Sequence, residues 1–308
     1  MSDKDLPSNL WVWHVAAAAA HLLSFSLLLP VKAPAQYPGK IGPRVYTFEK
    51  NGNATQVTDV LNDGFYSTPL MGVQINEFTT FVSHVVGILV AWNPLGSKST
   101  ESWRRWSEYA VTAGILECSL LFSYGVRDIF VLMLVFSLNV ALQYTGGLAL
   151  DQVRELEDEE FYSTQKIVLL SQSFMFISVQ IIYTMTTAIV AATPGLGAVV
   201  WSSVAYALFY LSFGVLQTLS HTVQGFNKRY ATDVGFVVLS VTSKLCLSWH
   251  VASITKNVEN QLLPNTVSAE ADALHTTVII LYVLAGSGIA TYFLWPCLYT
   301  DTKKLPPV

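Results

Sequence analysis

The chain has 308 residues, 52% of them hydrophobic and only 12% charged, with a formal net charge of −4. Its apolar runs exceed the roughly 20 residues that a bilayer core requires, which makes it a polytopic membrane protein. The slightly negative charge and the lack of a basic face exclude nucleic-acid binding.

In chain order, hydropathy predicts spans over 10–30, 70–92, 103–124, 128–149, 166–191, 197–220, 233–254 and 274–298. The expected fold is all-α. Residues 1–254 form a seven-helix bundle, and 255–308 supply an outer loop, an additional eighth span and a tail. The head MSDKDLPSN has mixed charge and no small-residue cleavage site follows it, so the first span reads as retained. The loop 31–69 contains YTFEKNGNATQVTDV, in which Asn51-Gly52 between strand-like flanks predicts a β-hairpin. Asn53-Ala54-Thr55 in the same turn matches a glycosylation acceptor, usable where the loop faces a secretory lumen. With the N-terminus cytoplasmic, the inner segments carry Lys4, Lys98, Arg104, Arg105, Arg154, Lys166, Lys228, Arg229, Lys303 and Lys304. The short outer loops carry Arg127 and Lys256. The bias places the N-terminus inside, and the C-terminus inside as well if the eighth span crosses. The acidic stretch DQVRELEDEE reads as a solvated inner loop. Cys118, Cys246 and Cys297 all fall within spans and describe no disulfide framework.

Lys244, in VVLSVTSKLCLSWH, is the residue that demands a function. A charge at the centre of a membrane helix costs roughly 2.5 to 3.5 kcal/mol on insertion scales and generally faces a partner inside the protein. It lies about eleven residues, roughly 16 Å, from either end of its span, too far to snorkel. One reading is a packing ion pair; the other is a Schiff base with an aldehyde, which requires a carboxylate nearby. Within the spans the acids are Glu108 and Glu117 in the third, Asp233 at the inner end of the seventh and Glu77 near the outer end of the second. Nine residues at 100° each set Glu108 and Glu117 on opposite faces, so both cannot reach Lys244, and helical phase alone leaves the choice open. The sixth span carries Tyr206, Phe209, Tyr210, Phe213 and Gln217 at helical spacing, which suits an apolar slot with flat walls. Tyr109 follows Glu108, and Trp249 lies just over a turn beyond Lys244.

Lys244 in VVLSVTSKLCLSW, Glu108 in RWSEYA, His21 in the first span, His84 in the second and Asn139 in FSLNV together resemble a heliorhodopsin. The resemblance covers the first seven spans, and its inverted topology agrees with the charge count. It implies that Lys244 carries all-trans retinal, with Glu108 as the Schiff-base counterion and Ser240, one turn earlier, supporting it. It further implies a pocket including Tyr109, Tyr210 and Phe213, to which Asn139 of the FSLNV match, Phe209 by helical spacing and Trp249 by its place beyond Lys244 are added, and an inner polar cluster of His21, His84 and Asp233. A homodimer is expected from the resemblance only. Glu117 departs from the family pattern and reads either as a neutral structural acid or as a proton relay. The eighth span is a second departure.

These residues point to a light-absorbing photoreceptor with a slow regulatory cycle and an unidentified signalling or channel partner. The alternative is a light-driven or light-gated proton transporter, which needs polar groups on both sides of Lys244. An enzyme is not expected, since no H-E-x-x-H, G-x-S-x-G or phosphate loop occurs.

Overall fold

The computed structural model describes residues 6–31, 39–42, 44–51, 54–61, 65–92, 97–155, 159–191, 197–226 and 232–262. The expected eighth span and Cys297 lie outside them, as do Gly52 and Asn53. Among the described residues there are seven long helices: α1 (Leu10–Leu28), α2 (Pro69–Trp92), α3 (Lys98–Ser123), α4, α5 (Glu159–Ala191), α6 (Gly197–Thr222) and α7 (Thr232–Leu262). The fourth, α4, is α-helical over Ile129–Leu142, π-helical over Gln143–Ala149 and α-helical again over Leu150–Glu155. Each helix packs on the next in sequence, α4 and its π segment on α5 included, and α1 and α2 also pack on α7. The ring of helices is thereby closed around α7.

Six of the seven are long and apolar enough to cross a membrane. The exception is α3, because Lys98, Glu101, Arg104, Arg105, Glu108 and Glu117 all lie on it. Those charges survive because the helix turns them inward: Glu101, Arg105, Glu108 and Glu117 are buried. Large apolar side chains such as Leu23, Leu89, Phe130, Ile182, Val190 and Leu208 face outward on the other helices, where lipid would cover them. Burial is greatest on α7, at 78% of its membrane window against 22–44% for the other five. Lys244 therefore sits on the innermost helix.

Helix ends follow local chemistry. Ser97 Oγ accepts the Thr100 amide at 3.2 Å and caps α3, and Asp128 caps α4 by accepting the Phe130 amide at 2.9 Å. Gly125, at φ +96°, makes the turn between them in a conformation that side-chain-bearing residues seldom adopt. In the first loop β1 (Gly39–Ile41) pairs antiparallel with β4 (Phe65–Ser67), and β2 (Arg44–Asn51) with β3 (Ala54–Leu61). Asn51 stands opposite Ala54, so the β2–β3 pair flanks the Asn51-Gly52 position. The loop is fastened to the α3–α4 turn by Gly42, whose amide donates to Arg127 O at 3.2 Å and whose carbonyl accepts from the Ile129 amide at 3.1 Å. This is the hairpin end of the bundle; α1 and α3 finish there and α2 begins there.

Candidate functional site

The site is assembled by α2, α3 and α7. Two pairs, Ser240 and Lys244 on α7 and Arg104 and Glu108 on α3, each stand four residues apart and so share a helix face. Lys244 Nζ makes a short ion pair with Glu108 Oε1 and donates to Thr80 Oγ1 at 3.2 Å. Ser240 Oγ donates to the same Glu108 oxygen at 3.4 Å. The other oxygen accepts from Ser83 Oγ at 2.7 Å and from Arg104 Nη1 at 2.8 Å. Glu108 thus has four donors and two cationic neighbours, which is what an ionised carboxylate needs in a buried site.

Arg104 turns its other edge to Glu101, with Nη2 at 2.6 Å from Oε1 and Nε at 2.8 Å from Oε2. Glu101, Arg104 and Glu108 recur at i, i+3 and i+7, a spacing on one helix face that signals the pairing in the sequence. Three histidines lie alongside. His14 Nδ1 and His84 Nδ1 are 2.9 Å apart, His14 Nε2 is 3.5 Å from Glu101, and the rings of His21 and His84 stack at 5.6 Å. His21 itself hydrogen-bonds elsewhere, through Nδ1 to Glu77 Oε2 at 2.7 Å. Glu77 also accepts from Ser248 Oγ at 2.6 Å.

On its other side Lys244 lines an apolar slot between α3, α4, α5 and α6. Tyr109, Phe209, Tyr210 and Phe213 are among its walls, joined by Trp106, Gly146 and Gly147. Trp106 stands edge-on to Tyr109 and to Phe236, with centroids 5.7 and 5.3 Å apart. The wall is braced from behind: Asn139 Nδ2 donates to the Tyr109 and Ala110 carbonyls at 3.2 and 2.9 Å, and its Oδ1 accepts from the Tyr210 hydroxyl at 2.7 Å. Asn139 therefore holds the slot without lining it.

With Lys244, Glu108 and this slot in place, a model of the heliorhodopsin family matches residues 10–255. The chain belongs to the heliorhodopsin family. Heliorhodopsins are membrane-embedded retinal photoreceptors. No curated protein matches the chain. The residues present fit a retinal: the only cationic side chain on the slot is the one amine that can form an imine, and the rest of the lining is chiefly apolar and aromatic. The close packing of Gly147 is part of that shape, since a Cβ there would lie 2.2 Å from the Trp106 ring.

Two expected residues are placed elsewhere. Trp249 does not reach the slot: five residues beyond Lys244 is about 140° round the helix, and its indole donates to Ser24 Oγ on α1 at 3.0 Å. Asp233 does not join the histidines. It pairs with Arg105 at 2.7 Å, and Arg105 continues to Asp151 at 3.3 Å. Asp151 also accepts from Ser102, Trp106, Gln217 and His221, so this second cluster ties α3, α4, α6 and α7 together away from the hairpin end. Its members are spread over 131 positions of sequence, and no local pattern announces them.

Glu117 faces α5 and α6. It accepts from Gln180 Nε2 at 3.0 Å and Thr184 Oγ1 at 3.2 Å, and the Tyr206 ring lies beside it. It also reaches the slot, with no cation among its described partners. Cys118 and Cys246 are free thiols.

Proposed function

We propose that this chain is a light-absorbing receptor in which all-trans retinal is joined to Lys244 as a protonated Schiff base with Glu108 as counterion, the N-terminus being cytoplasmic. Bound retinal would supply visible absorption and a light-driven change of shape. The observation that carries the reading is the placement of Lys244 Nζ between the Glu108 carboxylate and an aromatic slot. Glu108, Ser240, Thr80 and Arg104 hold positive charge at one point, while Trp106, Tyr109, Tyr210 and Phe213 exclude water and fix the orientation of a flat apolar ligand. Light would alter the charge at Lys244, and the histidines beside Glu108 offer the released proton a place inside the protein. A slow cycle acting on an unidentified partner follows from a proton that stays internal.

The test is reconstitution of the purified protein with all-trans retinal. The protein is coloured, and Lys244→Ala abolishes the colour, because only the amine can form the linkage. A visible band retained by the variant overturns the assignment.

Proton transport is the second reading, favoured by Glu77 and His21, which put titratable groups on the hairpin side of Lys244. Leu28, Leu70, Val73, Leu120 and Leu121 weigh against it, since these buried side chains form an apolar layer between that pair and the hairpin end. Voltage-clamped cells distinguish the two: a receptor gives no steady photocurrent, a transporter gives one that follows the proton gradient.

A further inference from the structure

Glu77 is completely buried, yet neither the counterion nor the slot uses it. Its surroundings are those of a charged or proton-sharing group. Oε1 accepts from Ser248 at 2.6 Å, with the Asn76 amide at 3.5 Å, and Oε2 is 2.7 Å from His21 Nδ1. The other His21 nitrogen, Nε2, is buried without a hydrogen-bond partner.

Charge counting shows what the pair holds. The cluster around Lys244 contains three carboxylates, Glu77, Glu101 and Glu108, against two permanent cations, Lys244 and Arg104. Glu108 is matched by Lys244, and Glu101 is gripped on both oxygens by Arg104. Glu77 meets His21 directly and also feels the charge of Lys244. The 2.7 Å hydrogen bond between Glu77 Oε2 and His21 Nδ1 holds a proton between two groups, either of which can carry it. The groups facing the pair from neighbouring helices are the Lys244 amine and the Ser248 hydroxyl on α7, Asn76 on α2, and the His84 ring stacked on His21.

This proton is close to Lys244. Thr80, which accepts from Lys244 Nζ, is three residues after Glu77 on α2, and Ser248, which donates to Glu77, is four residues after Lys244 on α7. Along each of the two adjoining helices the paired positions are about one turn apart, roughly 5 Å of rise, and each helix contributes a hydroxyl beside the other's group, Thr80 at Lys244 and Ser248 at Glu77. The Glu108 side, by contrast, is where a proton leaving Lys244 goes. We infer that the Glu77–His21 pair is a resident proton store that returns a proton to Lys244 from the hairpin side after light has removed the first. In that step the proton shared by Glu77 and His21 passes through the Ser248 or Thr80 hydroxyl to the unprotonated nitrogen at Lys244. The carboxylate and neutral histidine left behind regain a proton at the end of the cycle from the one released to the Glu108 side, so that the bundle neither gains nor loses a proton. The apolar layer of Leu28, Leu70 and Val73 keeps the store from exchanging directly with the hairpin-side solution.

The inference rests on the reading of Lys244 as the retinal-bearing residue. Its test is flash spectroscopy of the full chain reconstituted with all-trans retinal, following the decay of the blue-shifted absorption that marks loss of the proton at Lys244. In the unsubstituted protein that decay is independent of bulk pH. In E77Q, which keeps the shape but carries no exchangeable acid, the decay slows tenfold or more and becomes proportional to proton concentration, about tenfold per pH unit; added azide, a small diffusible acid, accelerates it again. A merely structural Glu77 would show neither the pH dependence nor the azide rescue. E77Q decaying at the unsubstituted rate, or slowly but without pH dependence, overturns the inference while leaving Lys244 and Glu108 untouched. Should E77Q fail to take up retinal, S248A and H21Q are read in the same way, since they remove the relay hydroxyl or the proton's second resting place and leave the carboxylate in position. A colourless unsubstituted protein overturns both this inference and the assignment it rests on.

Discussion

Replacing Gly147 by alanine reverses the ordinary rule for helices. Glycine to alanine within a helix normally stabilises by about 1 kcal/mol, because alanine loses less backbone entropy on folding. Here the added Cβ would lie 2.2, 2.3 and 2.6 Å from the Cδ2, Cε3 and Cε2 atoms of Trp106, against a carbon–carbon optimum of roughly 3.5 to 4.0 Å. The indole must therefore move by more than an ångström. It has little room to do so, being 4% exposed, set edge-on against Tyr109 and Phe236, and tied through Nε1 to Asp151 at 2.7 Å. Overpacking of this kind costs about 1 to 3 kcal/mol, and loss of a hydrogen bond to a charged acceptor about 1.5 to 3 more if the indole swings away. After subtraction of the roughly 1 kcal/mol that alanine normally gains, net destabilisation of about 1.5 to 5 kcal/mol is expected with the indole displaced from Asp151, together with a changed absorption maximum, since Trp106 and Gly147 both line the slot. The assay is thermal loss of visible absorbance in detergent, measured for G147A, W106L and the double variant. In the cycle G147A should cost at least 1 kcal/mol less when Trp106 has already become leucine. Equal cost in both backgrounds, or a G147A protein as stable as the parent, would refute the packing argument.

Glu108→Gln is expected to move the absorption maximum to longer wavelength, because it takes away the negative charge that localises positive charge at Lys244; an unchanged spectrum means that another group is the counterion. Asp151→Asn should destabilise the protein by about 2 to 4 kcal/mol in the same thermal assay, and by more than Asp233→Asn, since Asp151 accepts from five side chains on α3 and α6 while Asp233, among the described residues, accepts from Arg105; the reverse order would show that the second cluster is not organised around Asp151. Glu117→Gln should preserve colour and leave any light-induced current unaltered, because the amide can keep much of the hydrogen bonding to Gln180 and Thr184; a current that disappears in this variant makes Glu117 a relay.

The helices were legible because bilayer thickness writes itself into sequence as long apolar runs, and Lys244 because a central membrane charge stands out against them. The starts of α3 and α5 were less so. Lys98 to Ser102 and Glu159 to Gln165 are polar enough to read as loop, but α3 carries Glu101 inward onto Arg104, and that contact prolongs the helix past the apolar run. Pairing across helices was the part that sequence concealed. Helical phase separated Glu108 from Glu117 correctly, yet nothing local told which of them met Lys244. Glu77 was visible as an acid near a span end, but only the structure shows it buried two turns inside α2 against His21. Trp249 was misplaced because proximity in sequence was allowed to outweigh its 140° of rotation from Lys244.

The division of charges into two clusters bears on how a change at Lys244 could travel. In the first, Glu108 is shared by Lys244, Arg104, Ser83 and Ser240, so a change of charge at Lys244 alters contacts to α2, α3 and α7 at once. The second is connected to the first in two ways: through aromatic contacts, Lys244 Nζ lying 5.0 Å over the Tyr109 ring, Tyr109 edge-on to Trp106 and Trp106 donating to Asp151, and through chain continuity, since Arg104 and Arg105 are adjacent and one faces Glu101 and Glu108 while the other faces Asp233 and Asp151. Neighbouring residues on a helix point about 100° apart, so a small rotation of α3 that relaxes Arg104 must load Arg105. Asp151 then passes the strain to α4 and, through Gln217 and His221, to α6. Both ends of that path lie at the face opposite the hairpin end, the face at which α3 and α7 begin and α4 and α6 finish. A receptor whose output is read on that face needs a coupling of this form, and a proton that never leaves the bundle is sufficient to drive it.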